Sequence, residues 1–77
     1  MILILFYNWK GTVEEREKWE QYAKDWHKKN DMKVIGMYTP SCPWNRAWLI
    51  ETNSLDKAFK FEPNTDKLLN TDLIVLS

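Results

Sequence analysis

Three stretches of this chain are apolar without a break, in a protein of only 77 residues. One is Ile2-Leu3-Ile4-Leu5-Phe6-Tyr7, another is Ala47-Trp48-Leu49-Ile50, and the third is Leu73-Ile74-Val75-Leu76. A strand with one face in water alternates apolar and polar residues, whereas a strand covered on both sides does not. So short a chain has too few helical residues to cover both faces of a sheet. The second face needs another cover, and a second copy of the same chain is the nearest candidate.

Length and composition narrow the field. Seventy-seven residues allow one domain, spanning 1–77, with a modest core. A chain that is 44% hydrophobic and 29% charged is a soluble globular protein rather than a disordered one. Eleven Lys plus Arg balance eleven Asp plus Glu, so no net field invites nucleic acid or an anionic membrane. Five Trp is a high count, and such rings concentrate in cores, pockets and interfaces.

The single cysteine, Cys42, cannot close an internal disulfide, which reads as an intracellular, cytoplasmic protein. The apolar start from Met1 to Phe6 is too short for a signal-peptide core or a membrane span. It also lacks a basic leader, so it reads as a first strand.

The spacing predicts strand, helix, two strands, helix, strand. The first strand runs from about Ile2 to Asn8. Thr12 then caps a helix, and Glu15 completes a capping box. Trp19, Tyr22, Ala23 and Trp26 follow i, i+3, i+4, i+7 spacing and make one apolar stripe. Asn30 is the expected left-handed cap. Two strands, Met32–Thr39 and Asn45–Thr52, form a hairpin. Opposing Lys33 to Glu51 places Val34 against Ile50, Ile35 against Leu49, Gly36 against Trp48 and Met37 against Ala47. Ser54 caps a second helix from Leu55 to about Phe61, residues Asp66 to Leu69 form one more helical turn, and Thr71–Leu76 is the last strand.

The order β-α-β-β-α-β in a chain of this size is that of an α+β ferredoxin-like sandwich, a four-stranded antiparallel sheet with two helices. Its fourth strand is an edge, and an edge apolar on both faces calls for a partner. The expected partner is the chain itself, as a homodimer.

The segments Val34-Ile35-Gly36-Met37-Tyr38 and Arg46-Ala47-Trp48-Leu49-Ile50-Glu51-Thr52 resemble the central hairpin of a family of short uncharacterised proteins. That family is similar to the dimeric α/β-barrel superfamily, in which two ferredoxin-like units close their sheets face to face. The superfamily includes small monooxygenases, haem-dependent members, muconolactone isomerases, stress-induced proteins and ligand-sensing regulatory domains. The resemblance therefore implies a fold and a dimer but no catalytic residues.

Few side chains offer chemistry. Tyr38, Arg46 and Trp48 share one sheet face in the expected register, giving an aromatic wall and one cationic anchor for the carboxylate or phenolate of a small aromatic or otherwise apolar molecule. His27 stands at the border of the helical stripe, favoured there by the helix C-terminus, and is the histidine available to a pocket. Asn8, at the end of the first strand, sits at a pocket mouth or shapes the turn. Cys42 has no neighbouring base to activate it and reads as a turn residue. Glu20 and Lys24 read as a solvated i, i+4 pair.

No metal-ligand spacing and no phosphate loop accompany these residues, so no cofactor is expected, and any reaction would be cofactor-free chemistry on a bound ring. Two readings compete with a ligand pocket. One is a structural or regulatory interaction module. The other is an RNA-recognition motif, faintly echoed by Arg46-Ala47-Trp48-Leu49-Ile50, which would stack bases on exposed rings and which the zero net charge disfavours.

Overall fold

Strands β1 (Ile2–Trp9) and β3 (Arg46–Glu51) form the centre of a four-stranded antiparallel sheet, between β2 (Lys33–Tyr38) and β4 (Leu68–Val75) at the edges. Helix α1 (Val13–Lys29) follows β1, and the short α2 (Leu55–Phe59) follows β3. The structure is a computed structural model and describes residues 1–40 and 44–76; Cys42 lies outside the described residues. Among the described residues, no helix is long and apolar enough to cross a membrane.

Helix α1 begins where its capping box predicts. The Glu15 N–H donates to Thr12 Oγ1 at 3.1 Å, and the Thr12 N–H donates to Glu15 Oε1 at 2.9 Å. These bonds satisfy donors that the first helical turn leaves free, worth about 1 kcal/mol. They also hold the exposed Glu15 carboxyl below its ordinary pKa. At the other end the left-handed residue is Asp31, with φ 59°, and not Asn30 as expected. Asn30 keeps φ −107° and turns its side-chain amide back to donate to the Trp26 carbonyl at 2.8 Å.

Both helices lie over the sheet face that carries Leu3, Tyr7, Trp48 and Ile50. The Trp19 ring of α1 meets Tyr7 at 5.2 Å and Trp48 at 6.0 Å, and Leu55 and Ala58 pack on the same cluster. Leu3, Tyr7 and Trp48 are fully buried. Burying a side chain of this size is worth roughly 1.5–3 kcal/mol, so the cluster is the main stabilising element.

The register of the hairpin differs from the expected one after its first two pairs. Lys33↔Glu51 and Val34↔Ile50 are as predicted, but Ile35 is then skipped, and the pairs become Gly36↔Leu49, Met37↔Trp48 and Tyr38↔Ala47. A bulge of one residue exchanges the faces of everything beyond it. The gain is visible in the packing. An unbroken register would set Gly36 beside the buried Trp48, whereas the bulge brings Met37 there and turns Ile35 outward.

Two further boundaries differ. Strand β4 starts at Leu68 rather than Thr71, in place of the helical turn expected over 66–69. Leu68 pairs with Trp9, and the Lys10 N–H extends the ladder to the Lys67 carbonyl at 2.9 Å. Helix α2 ends at Phe59, two residues early, which lets the Phe61 ring turn inward onto Trp26 and His27, each at 5.0 Å.

Candidate functional site

The expected trio does not assemble. Arg46 and Trp48 lie on the helix-covered face, paired with Tyr7 and Leu5 of β1, but the bulge sends Tyr38 to the opposite face beside Ala47. Tyr38 is 53% exposed there, with its ring lying over the bare Cα of Gly36. Asn8 reaches the neighbouring strand rather than its own turn: its Oδ1 accepts from the Asn45 N–H at 2.7 Å, while Asn45 Oδ1 accepts from the Trp9 N–H at 2.9 Å. This reciprocal clamp ties the end of β1 to the start of β3.

His27 is not a border residue. It is 2% exposed, with its ring against Trp26, Trp48 and Phe61. Its Nδ1–H donates to the Ala23 carbonyl at 2.7 Å, one turn back along α1. Burial lowers its pKa, and the carbonyl only partly opposes that shift.

The most concentrated polar chemistry is a cluster that sequence reasoning missed. Glu20, expected to be solvated, is 5% exposed. Arg46 grips its carboxylate at two points, Nε to Oε2 at 2.8 Å and Nη2 to Oε1 at 3.2 Å. The Tyr7 hydroxyl donates to the same carboxylate, and Arg16 Nε stands 3.7 Å from Oε1. A third donor, Arg46 Nη1, reaches Thr39 Oγ1 at 3.1 Å.

Burial, reinforced by the Glu20 carboxylate, pushes the Tyr7 hydroxyl far above its ordinary pKa. Burial alone would depress Arg46, but Glu20 and Tyr7 outweigh it and hold the guanidinium charged. A tyrosine that cannot ionise and a carboxylate already engaged by three side chains leave no free base. The arrangement locks α1 to β1 and β3. A signal for it was present, because Arg16, Glu20, Ala23 and His27 recur at i, i+4, i+7, i+11, one line along the helix that borders the aromatic stripe.

Space for a ligand lies elsewhere on the helix-covered face. A cleft of about 380 Å³ opens between the α2 region and strands β1 and β4, lined by Leu5, Trp19, Phe61, Pro63, Leu68 and Leu73. Its roof, residues 61–64, is held down by α1. Trp19 Nε1 donates to the Pro63 carbonyl at 2.7 Å, and the Tyr22 hydroxyl donates to the Glu62 carbonyl at 2.8 Å. The indole N–H is therefore already used, and most of the lining residues are apolar, with residues 71–73 of β4, Asp72 among them, forming one side. None of Asn8, His27, Tyr38, Arg46 or Trp48 lines this cleft.

The opposite sheet face carries no helix among the described residues. Ile4 stands between Leu49 and Ile74, and Phe6 stands between Ala47 and Asp72. Trp44 stacks on Phe6 at 5.9 Å, and Ile4, Phe6, Tyr38, Ala47, Trp48 and Leu49 border a shallow hollow of about 260 Å³, so that Tyr38 and Trp48 of the expected trio both reach it.

Among the described residues no three His, Cys, Asp or Glu side chains are grouped to hold a metal ion. No family model, curated protein or solved structure matches the chain.

Proposed function

We propose that this chain is a ferredoxin-like protein that works inside the cell as a homodimer and holds a small apolar or aromatic molecule in the cleft between α2 and the sheet. The element order β-α-β-β-α-β and the strand order β2-β3-β1-β4 support the fold reading. They also fit the resemblance of the hairpin to the dimeric α/β-barrel superfamily.

The observation that carries the dimer is the open sheet face. Ile4, Phe6, Leu49 and Ile74 adjoin one another on the two central strands and β4, and Ile74 is 42% exposed. An apolar face of this kind is stabilised by a partner, and two such faces stacked together restore the two-sided cover that the unbroken apolar runs call for.

The cleft selects for an uncharged ring or short chain. Arg46, the expected cationic anchor, is instead paired with the Glu20 carboxylate and Thr39, and it does not line the cleft. The RNA-binding reading loses its main support, since Trp48 is fully buried beneath α1 and presents no face for a base.

Calorimetric titration with naphthol tests the ligand. Saturable binding to the native protein should vanish in Leu68→Trp, which fills the cleft. An equal response from both proteins would place the binding elsewhere and sink the assignment.

A further inference from the structure

We propose that the free edge of β4 accepts an extended peptide as a fifth strand, with apolar side chains toward the cleft and a basic side chain beside Asp72. The inference goes beyond the small-ligand reading and does not depend on it.

The two edges of the sheet differ. On β2 the bulge at Ile35 interrupts the strand, a device that blunts an edge against pairing. On β4 the ladder runs without interruption from Leu3↔Val75 to Asn8↔Asn70. The Leu76 N–H donates to the Ile2 carbonyl at 2.8 Å. Hydrogen bonding alternates along an antiparallel pair, so Thr71, Leu73 and Val75 turn their N–H and C=O groups away from β1, to the open side. Among the described residues no other backbone group meets them.

The same residues that offer free backbone carry side chains on the helix-covered face, and Thr71 and Leu73 line the cleft. A strand laid along this edge would therefore drop every second side chain toward a preformed apolar cleft, the usual division of labour when a peptide extends a sheet. On the other face Asp72 is the lone charge of β4, exposed and flanked by Phe6. A second copy offering its own β4 brings no cation, because residues 68–76 contain no Lys or Arg. Charge complementarity thus favours a different partner, an extended segment alternating apolar and basic residues.

The test uses a labelled synthetic peptide alternating valine and lysine, with a valine–glutamate peptide as control, followed by fluorescence anisotropy. The native protein should bind the lysine peptide saturably, and Asp72→Lys should weaken it about fivefold while favouring the glutamate peptide. Val75→Pro removes an outward N–H and spares the bonds to β1, so it should weaken the peptide while leaving the melting temperature and naphthol binding unchanged. Naphthol failing while the peptide binds would overturn the ligand reading alone. No saturable binding of either peptide, or binding indifferent to both substitutions, would overturn the fifth-strand proposal. So would a sedimenting oligomer that Val75→Pro dissociates and the peptide cannot enter.

Discussion

Arg46 grips the carboxylate of Glu20 through both Nε and Nη2, at 2.8 and 3.2 Å, so the first residue of β3 is fastened to the middle of α1. Their side chains are 14% and 6% exposed, and the pair is interior rather than a surface bridge. Removing one partner of a buried pair strands the other. Glu20→Ala should therefore destabilise the fold by about 3–5 kcal/mol, with the Tyr7 hydroxyl and the Arg46 guanidinium left without their acceptor. Lys24→Ala, on the exposed side of the helix, should stay within about 0.5 kcal/mol. Urea denaturation of the two variants checks the contrast.

Gly36 and Tyr38 supply a second test, this time of the bulge. A Cβ built on Gly36 collides with the Tyr38 ring, including Cε2 at 2.8 Å, and not with Trp48. The ring is half exposed and can swing away, so Gly36→Ala should cost only about 1 kcal/mol, the low end of the usual range for overpacking a core. The cost should largely disappear in a Tyr38→Ala background, giving a measurable coupling in a double-mutant cycle. A cost unchanged by Tyr38→Ala would restore the unbulged register with Gly36 against Trp48.

His27 makes stability depend on pH. Its pKa in the folded chain is lowered by burial from the ordinary 6.5, so the unfolded chain binds the proton more readily. Stability is then full above about pH 6.5 and declines as pH falls toward the lower, folded value. Denaturation midpoints measured on both sides of pH 6.5 should show this slope, and His27→Gln should flatten it. A midpoint that rises on acidification would reverse the sign and show the imidazole charged within the fold.

Much of this architecture could be read in the residues, and the failures share a cause. The capping box of Thr12 and Glu15 and the Lys33–Glu51 pair rest on local or directly opposed groups, and both stand in the structure. Residues 35–38 depart from the regular register because a bulge is decided by what lies across the sheet: packing Met37 beside Trp48 outweighs it. Glu20 was misjudged for a related reason. Its i, i+4 neighbour Lys24 suggested a solvated pair, but the partner that matters, Arg46, lies 26 positions along the chain. The cleft depends on Trp19 and Tyr22 holding residues 62–63, contacts that no short-range pattern encodes.

In the homodimer we propose, two copies meet through the open sheet face bearing Ile4, Phe6, Leu49 and Ile74. Sedimentation equilibrium of the native chain and of Phe6→Arg at micromolar concentration distinguishes this assembly from a monomer. Phe6 pairs with Ala47 and Asp72 and takes no part in the cluster beneath α1, so the substitution should spare the fold while placing a charge in the middle of the interface. The native protein should sediment as a dimer and the variant as a folded monomer. A native chain that stays monomeric, or a variant dimer as stable as the native one, would overturn the face-to-face dimer.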